Sequence, residues 1–435
     1  MATVGIDFGS SYTTVAWLNP VTGCPEAVCF NGDGSVKMPS TILHSNGGLI
    51  IGFQAQSYIE DVFKLPDEDQ KIKILSDFLP SLKRILNPHV KEYIGDCEYT
   101  HEQLLMEFFR HVIEQVHEHC GNDFDIKDVS FSYPVDFEES KIALIRNALS
   151  GLGLTVKSEN LEPIAAVFGY LRNHTLAPED NILVFDFGGG TIDVACVNSN
   201  GMGAQLICEP KGSHTCGGQD IDLLIYNDLR KKIKAQTGIE ISTEATVDYA
   251  ILNSCRRIKE LFSGRNDLYE ISIPLVSGGT FKNYKYSLNR ETFNNIIYPK
   301  IYEAVTIANN VRNAAKSNGY DVSKILLIGG SSKIALVSKL LAEILPKASI
   351  ETWGEKDIAV ALGNLLICSP TSAKSQCKQK PVSQDHDSGP KIDKNKSITC
   401  KNPACRSSRC YKLVNEPGYF CTECGWKGKN IIVRF

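Results

Sequence analysis

The sequence lacks three features that would assign it to a secreted, membrane-spanning or highly basic class. Its amino terminus, MATVGIDFGS, has neither a basic region nor a long apolar run, so it does not predict a secretory signal. No window approaches the roughly 18 uninterrupted apolar residues that a membrane span needs. The formal net charge is only −4 and the pI is near 6.2, which argues against nucleic-acid binding through bulk charge.

The cysteines do not suggest a disulfide framework. There are 15, an odd number, ten of them are scattered singly between Cys24 and Cys377, and no export signal precedes them. At 435 residues with 43% hydrophobic residues, the chain is long enough for more than one domain with a large core. We therefore expect a soluble, reduced, cytoplasmic protein without membrane association; a nuclear location stays open.

A glycine-rich hairpin is predicted at residues 181–198, NILVFDFGGGTIDVACVN. An apolar run ends at Asp186, three glycines follow at 188–190, and a second apolar run begins after Thr191. Because glycine has no Cβ, this backbone can adopt φ > 0 and bring its N–H groups close to an anion. The carboxylates of Asp186 and Asp193 beside such donors predict a hydrated divalent cation and a phosphate. The alternative is an ordinary glycine-rich hairpin.

The segment VGIDFGSSYTTV at residues 4–15 repeats this pattern, with Asp7 aligned to Asp186 and Gly9 to Gly188. The hydroxyl residues 10–14 replace the later glycines and add side-chain donors. We therefore expect two similar lobes, each contributing one phosphate-binding hairpin to a shared cleft, with chance similarity as the alternative.

Two further glycine-containing turns occur, at 212–220 and at 324–333. The second turn follows an apolar strand and precedes a helix, an arrangement that often contacts a nucleotide base or ribose. The Asp-Phe-Gly triplets also occur in protein kinases, but no His-Arg-Asp catalytic loop is present, so we reject that class. Lys83 and Arg84 could face the phosphates or be surface charges, and Glu162 caps a helix or points into the cleft.

In this order, the motifs GIDFGSSYT, LKRIL, SYP, LEPIAA, FDFGGGTIDV, GGQDID, SCRRIKELFS and LLIGGSSKI resemble the ATPase domain of the seventy-kilodalton heat-shock chaperone family. That family belongs to the actin, hexokinase and heat-shock ATPase superfamily. The resemblance covers about residues 3–369 and implies an α/β fold, a two-lobed actin-like ATPase with duplicated ribonuclease H-like lobes. The ATPase domain would be 1–370, with lobe I at about 1–180 and 350–370 and lobe II at about 181–349.

The resemblance also implies roles for individual residues. Asp7, Asp186 and Asp193 would hold magnesium largely through water. Lys83 would orient the attacking water with help from Thr191, and Glu162 would relay the nucleotide state together with Pro134. The residues expected to bind ATP or ADP are Gly9, Ser10, Ser11, Tyr12, Gly188, Gly189, Gly190, Thr191, Gly217, Gly218, Lys259, Ser263, Gly329, Gly330, Ser331, Lys333 and Asp357.

Three positions depart from the family pattern. Arg256 stands where the family carries an acid, and Glu260 stands where it carries an arginine that lies against the adenine. Lys333 replaces another arginine. A guanidinium plane can stack on a base and a carboxylate cannot, so we expect weaker or altered adenine binding.

The carboxyl-terminal part departs further, because it has too few residues for the family's peptide-binding sandwich and helical lid. Residues 371–398 are polar and predict a disordered linker. Residues 399–435 predict a zinc-ribbon-like module, with disulfides or free thiols as the alternative. The favoured ligands are Cys400, Cys405, Cys421 and Cys424, with Cys410 as the competitor of Cys405. Basic residues around them could contact nucleic acid or an acidic protein, or could simply be solvated.

We therefore expect an ATP-hydrolysing, chaperone-like protein whose lobe closure is coupled to partner binding. Its cofactors would be ATP/ADP, Mg²⁺ and Zn²⁺, and its partners would be co-chaperones or clients. One alternative is a non-hydrolysing nucleotide-dependent adaptor. Another is a small-molecule kinase, for which the sequence shows no second substrate site. The oligomeric state stays open.

Overall fold

The computed structural model describes residues 2–31, 34–45, 47–62, 65, 67–121, 123–177, 179–199, 203–241, 245–264, 268–277, 280–351, 353 and 355–368, with four backbone segments at 392–398, 410–413, 419–421 and 427–428. The chain divides into two compact units, Met1–Cys377 and Lys378–Phe435. They are described separately.

The strands of the first unit are β1 (Ala2–Phe8), β2 (Tyr12–Leu18), β3 (Pro25–Ala27), β4 (Met38–Pro39), β5 (Ile42–Ser45), β6 (Gly48–Ile51), β7 (Phe78–Leu79), β8 (Lys91–Ile94), β9 (Cys97–Thr100), β10 (Ile126–Tyr133), β11 (Thr155–Leu161), β12 (Asn181–Phe187), β13 (Ile192–Ser199), β14 (Ala204–Leu206), β15 (Lys211–Ser213), β16 (Leu268–Ser277), β17 (Thr280–Asn289), β18 (Lys324–Ile328) and β19 (Ser349–Glu351). Its helices are α1 (Phe53–Val62), α2 (Glu68–Ser76), α3 (Leu82–Ile85), α4 (His101–Cys120), α5 (Glu139–Gly151), α6 (Glu162–Leu171), α7 (Gly218–Thr237), α8 (Ala245–Phe262), α9 (Arg290–Ser317), α10 (Ala335–Ile344) and α11 (Ala359–Cys368). A 3₁₀ helix lies at Ser331–Lys333.

Two of the sheets share one plan. The first has the order β3-β2-β1-β10-β11 and the second the order β14-β13-β12-β18-β19. In each sheet the second strand runs antiparallel to both of its neighbours, and the last two strands run parallel to the third. We call β1–β2 the amino-terminal hairpin and β12–β13 the glycine hairpin. They occupy equivalent positions in the two sheets, as a duplicated fold requires.

Each of the two sheets has its own hydrophobic core. The core of the first includes Phe8, Phe108 and Phe109, whose rings pack at centroid distances between 5.3 and 5.8 Å. The core of the second is built on β12, β13 and the helices α7 to α10. The residues of these two cores are different, so each sheet is packed against its own set of side chains.

The helix that covers the first sheet begins at a capping box. The Thr100 hydroxyl accepts from the Gln103 amide at 3.2 Å, and the Gln103 side chain accepts from the Thr100 amide at 2.8 Å. This capping box satisfies donors that the first turn of α4 would otherwise leave unpaired.

Helices α6 and α11 cross at close range between the two sheets. A Cβ built on Gly363 would lie 1.7 Å from the carbonyl oxygen of Ala165, and one on Gly169 would lie 2.1 Å from that of Ala359. The apolar residues of α6 pack with those of β12, β13 and β18. Helix α6 therefore contacts both sheets, since α11, its other partner, packs on β1, β2 and β10. Its nearly continuous apolar surface makes both contacts possible.

The second unit contains a four-stranded sheet formed by β20 (Ile392–Ile398), β21 (Cys410–Leu413), β22 (Tyr419–Cys421) and β23 (Lys427–Gly428). β20 pairs with β21, so the prediction of an unstructured linker does not hold for its last seven residues. In the register of β21 and β22, Cys410 is the partner of Cys421. Cys400, Cys405 and Cys424 of the predicted zinc site lie outside the described residues, as do the side chains of Cys410 and Cys421.

Among the described residues, no helix is both long and apolar enough to cross a membrane. The free cysteines of this part of the chain are Cys29, Cys97, Cys120, Cys196, Cys208, Cys216, Cys255 and Cys368. Cys24 is disulfide-bonded, which differs from the fully reduced chain that the sequence analysis expected.

Candidate active site

A cavity of about 450 Å³ lies where the two hairpins face each other. Most of the predicted site residues line it, and they come from segments more than 300 residues apart. Those in its wall are Asp7, Gly9, Ser10, Ser11, Tyr12, Lys83, Glu162, Asp186, Gly188, Gly189, Gly190, Thr191, Lys259, Ser263, Gly329, Gly330, Ser331, Lys333 and Asp357. Three predicted residues, Asp193, Gly217 and Gly218, are not part of the wall.

The two hairpin turns are closed by the same hydrogen bond. The Gly9 amide donates to the Tyr12 carbonyl at 3.1 Å, and the Gly188 amide donates to the Thr191 carbonyl at 3.0 Å. These two N–H groups are therefore already engaged. The glycine triplet does not use the freedom to adopt positive φ, because none of Gly188, Gly189 or Gly190 has it.

The glycines at 189 and 190 are required by space instead. A Cβ on Gly189 would lie 2.2 Å from the Ser11 hydroxyl, and a Cβ on Gly190 would lie 2.6 Å from the Ser10 hydroxyl. Real Cβ atoms do not approach other atoms so closely. The missing side chains thus let the glycine hairpin of one lobe meet the hydroxyl-rich hairpin of the other, which leaves serine hydroxyls and backbone amides along one wall of the cavity.

Gly217 and Gly218 support the glycine hairpin from behind. The Gly218 amide donates to the Gly188 carbonyl at 3.0 Å, and the Gln219 amide donates to the Gly189 carbonyl at 2.8 Å. Unpaired amides at the start of α7 are thereby satisfied by the hairpin. A Cβ on Gly217 would lie 2.5 Å from the backbone of Gly190, so the contact depends on glycine there.

Lys83 forms the buried ion pair of the cavity. Its Nζ lies 2.6 Å from Oε1 of Glu162, and the two side chains are 4% and 9% exposed. Burial opposes protonation of Lys83, but the charges of Glu162 and Asp7 outweigh it and raise its pKa. Lys83 is therefore held as a cation by a carboxylate at the first turn of α6. The surface-charge interpretation of Lys83 does not survive this placement.

Three aspartates cluster near this ion pair. Register pairing sets Asp186 opposite Asp193 in the glycine hairpin. Burial, and then the charge of Glu162, raise the pKa of Asp7 to about 7 and that of Asp193 to about 8. Burial, then Glu162 and Asp193, raise that of Asp186 well above its ordinary value. The cluster contains more buried carboxyl groups than cations, and this destabilises the ionised form of each carboxyl group.

The donor set fits a hydrated divalent cation. Asp193 accepts a hydrogen bond from the Val135 amide through Oδ1 at 2.7 Å, whereas its buried Oδ2 has no partner. No three His, Cys, Asp or Glu side chains in the described part of the chain come close enough together to coordinate one ion directly. Asp7, Asp186 and Asp193 would thus hold Mg²⁺ through its water molecules, which Mg²⁺ gives up reluctantly.

Helix α8 provides the wall opposite the amino-terminal hairpin. Lys259 donates to the Gly218 carbonyl at 2.7 Å and lies 2.8 Å from Oδ1 of Asp222. Ser263 donates to the Lys259 carbonyl at 3.0 Å. Burial lowers the pKa of Lys259 and raises that of Asp222, so desolvation works against this ion pair. A polar ligand that contacts Lys259 would offset part of that cost.

Arg256 connects the two lobes across the cavity. Its guanidinium carbon lies 5.1 Å from the centre of the Tyr12 ring, and its Nε donates to Oε1 of Glu260 at 3.1 Å. Tyr12, which the resemblance assigned to the phosphates, therefore also supports a cation through its ring. Relative to the family pattern, the acid and the base at positions 256 and 260 have exchanged places. The two side chains can therefore still form an ion pair between adjacent turns of α8.

The turn after β18 completes the wall. Gly329 has φ +77°, and a Cβ there would lie 2.5 Å from the Phe187 carbonyl oxygen. Ser331 donates to the Gly188 carbonyl at 2.8 Å. Lys333 lies 2.7 Å from Oδ2 of Asp357. This turn is thereby fixed directly against the glycine hairpin.

Sequence reasoning missed several wall residues, which include Thr14, Lys37, Gln219, Asp222, Ile328, Lys356 and Val360. For two of them a signal was available, since Gln219 and Asp222 follow the predicted glycine loop directly. Lys37 and Lys356 lie in segments without a recognisable pattern, and only tertiary packing brings them to the cavity.

Comparison with known proteins identifies the relationship. The family model described as Hsp70 protein matches residues 3–381. The chaperone protein DnaK of Ureaplasma urealyticum serovar 10 is 26% identical over 363 residues, which cover 83% of this chain and 57% of that protein. The DnaK of Thermotoga petrophila is 24% identical over 363 residues, 83% of this chain and 58% of its own length. The chain thus spans somewhat more than half the length of these relatives.

Proposed function

The chain belongs to the Hsp70 family, and from that membership we propose that it binds ATP in the cavity between its hairpins and hydrolyses it to ADP and phosphate. The printed names of the relatives describe them as chaperones. A chaperone-type coupling of nucleotide state to partner binding is part of the same proposal.

The observation that carries the proposal is the buried Lys83–Glu162 ion pair at the junction of two donor-rich hairpins. Hydrolysis of a phosphoanhydride depends mainly on positioning and on stabilising charge that spreads over the transferred group. A lysine kept protonated in a water-poor cavity supplies such stabilisation without reorganising during the reaction. Glu162 fixes its direction.

The other residues position the nucleotide. Ser10 and Ser11 offer hydroxyls to the phosphate chain, and Thr191, in the same wall, would lie near the attacking water. When bound, Mg²⁺ neutralises phosphate charge. Lys259 of α8 and Ser263, just after its end, bind the adenosine part together with Gly329, Gly330 and Ser331. Lys333 and Asp357 flank them.

Closure of the lobes is the proposed output. Contacts across the cavity support it: Arg84 of the first lobe donates to the Gln219 side chain and, at 3.2 Å, to the His214 carbonyl in the second. Because Arg84 follows Lys83 directly, a nucleotide that shifts the Lys83 segment also shifts this bridge. The nucleotide state is thereby linked to the angle between the lobes.

The residues beyond the matched family model have a separate proposed role. Residues 399–435 would bind zinc through Cys400, Cys405, Cys421 and Cys424, or with Cys410 in place of Cys405, and would recognise a partner. The partner would be a protein client or co-chaperone in the cytoplasm, or a nucleic acid that contacts basic residues. The register that pairs Cys410 with Cys421 supports retaining Cys410 as an alternative ligand.

A single-turnover ATPase assay tests the enzymatic part. We expect magnesium-dependent turnover in the wild-type chain and a loss of about 10²–10³ in rate in Lys83→Ala, with little change in nucleotide affinity. Lys339→Ala, at an exposed position of α10 outside the cavity, is the matched control. Nucleotide binding without any turnover in the wild type would replace hydrolysis by a nucleotide-dependent adaptor role. Turnover that depends on an added sugar would indicate a small-molecule kinase.

A further inference from the structure

Each basic side chain of the cavity wall has a carboxylate of its own, except at one place. The pairs are Lys83–Glu162, Lys259–Asp222 and Arg256–Glu260. Three further lysines in the wall, Lys37, Lys333 and Lys356, surround a single carboxylate, Asp357. We call these four residues the Asp357 lysine cluster.

Both oxygens of Asp357 are already engaged. Lys37 Nζ lies 2.9 Å from Oδ1 and Lys333 Nζ lies 2.7 Å from Oδ2. Burial opposes ionisation of Asp357, but the hydrogen bonds from Lys333 and Lys37 outweigh it and lower its pKa. Asp357 is therefore ionised, and two ammonium groups already share its single negative charge.

Lys356 is the cation that remains. No carboxylate among the described residues pairs with its ammonium group, although it lies in the cavity wall beside the other two lysines. Burial, and then the charge of Lys333, lower its pKa. Three ammonium groups around one carboxylate leave an excess of positive charge, which attracts an anion.

The position of the cluster indicates which anion it can reach. Lys333 ends the turn that begins at Gly329, on the side of the cavity assigned to the adenosine part. The charge of Lys37 reaches Asp7, where it offsets a small part of the rise in pKa that burial and Glu162 cause. The cluster lines the same cavity as the two hairpins and the turn at Gly329, so in the nucleotide orientation proposed above it would lie beside the sugar.

We propose that the Asp357 lysine cluster binds a phosphate group carried on the sugar of the nucleotide, in addition to its 5′ chain. The ligand class is an adenine nucleotide phosphorylated at the ribose 2′ or 3′ oxygen. Lys356 contributes a charge-assisted hydrogen bond that an unmodified sugar does not use. The inference rests on the proposed nucleotide binding and names a substrate class for the same site.

Calorimetric titration of the full-length chain tests it with five ligands: ADP, ADP carrying a 2′-phosphate, ADP carrying a 3′-phosphate, ATP, and adenosine 5′-tetraphosphate, which is compared with ATP. We expect one of the sugar-phosphorylated ligands to bind about tenfold tighter than ADP, as one good charge-assisted contact allows. Lys356→Gln should abolish this tenfold preference for the sugar-phosphorylated ligand over ADP and leave the affinity for ADP nearly unchanged. Lys37→Gln is a second variant in the same cluster, and Lys339→Gln, with the same charge change on the exposed face of α10, should keep the ratio.

The outcomes separate the two proposals. If ADP binds and neither sugar phosphate improves affinity, the inference is wrong and nucleotide binding stands. If only the tetraphosphate gains affinity, or Lys356→Gln weakens ADP as much as the sugar-phosphorylated ligands, the lysines serve the 5′ chain and the inference is overturned. If no nucleotide binds at all, the proposed function fails and the inference fails with it.

Discussion

At the scale of the residue, the cavity is dominated by the cost of burying charge. Lys83 keeps its proton because Glu162 and Asp7 surround it, while the same crowding raises the pKa of Asp7 and Asp193. In the nucleotide-free site, the carboxyl groups of Asp7 and Asp193 therefore lose their protons only near neutral pH. A divalent cation would relieve this cost, which makes metal and pH measurable probes of the same cluster.

The first prediction concerns pH and magnesium. The folded pKa values of Asp7 and Asp193, about 7 and 8, lie above the unfolded value near 3.8. Their contribution to stability is therefore complete below about pH 4 and is lost as pH rises through 7 and 8. We expect Mg²⁺ to raise the melting temperature more at pH 8 than at pH 6, with chelator-treated protein as the reference. Equal shifts at both pH values would show that these carboxyls do not hold the cation.

The second prediction concerns Arg256. Because its guanidinium lies over Tyr12 and faces the cavity, Arg256→Ala should weaken ADP binding about tenfold, whereas the stability of the fold should change little. Arg256→Lys should keep only part of the ADP affinity that Arg256→Ala loses, since an ammonium group has no plane for stacking. Equilibrium titration with a fluorescent ADP measures it, with Arg110→Ala on the surface of α4 as control. Unchanged affinity would mean that Arg256 only supports Tyr12.

At the scale of the element, the cavity depends on close approaches between backbones. The glycine hairpin meets Ser10 and Ser11, α7 begins against its carbonyls, and α6 crosses α11 through glycines. Since α6 also carries Glu162, its contact with α11 fixes the partner of Lys83. A movement at the crossing would thus reach the cavity without any change in the hairpins.

The third prediction tests this crossing. Gly363→Ala should destabilise the fold by about 1–3 kcal/mol or more, because its Cβ would lie 1.7 Å from the Ala165 carbonyl oxygen and a backbone must shift. Gly48→Ala, whose Cβ would meet nothing within 4 Å, should stay within about 0.5 kcal/mol. Urea unfolding of both variants measures the difference. Similar midpoints would indicate that the helices separate easily.

At the scale of the whole molecule, two units carry different proposed tasks. The family model ends at residue 381, close to the boundary between Cys377 and Lys378. All residues of the cavity wall lie in the first unit. Nucleotide chemistry is thereby separated along the chain from the cysteine-rich segment proposed for recognition.

The fourth prediction follows from this separation. Purified wild-type chain should contain about one zinc ion, and Cys421→Ser with Cys424→Ser should lose it while ADP affinity stays unchanged. Elemental analysis and titration measure the two quantities, and Cys97→Ser, an exposed free thiol of the first unit, is the control. Co-purification of partners with the full chain and with a chain lacking residues 399–435 then tests recognition. Wild-type protein without zinc would end the zinc-ribbon interpretation.

Much of the fold could be predicted from the sequence because its signals are local. The capping box at Thr100 and the two Asp-Phe-Gly hairpins depend on neighbouring residues, so their patterns stand in the chain itself. The reason for the glycine triplet could not be predicted, since composition alone cannot distinguish a need for positive φ from a need for space. The space available at Gly189 and Gly190 is limited by Ser11 and Ser10, which lie about 180 residues earlier in the chain.

The sequence by itself thus determined the duplicated hairpins, the family and most of the cavity wall, because motifs with fixed spacing carry them. Only the tertiary structure decided that Lys83 is a buried cation paired with Glu162, that α6 packs on the second sheet, and that Lys356 joins two other lysines around Asp357. The physical reason is that burial and electrostatic pairing are set by which distant segments meet, and the order of residues in the chain does not contain those distances.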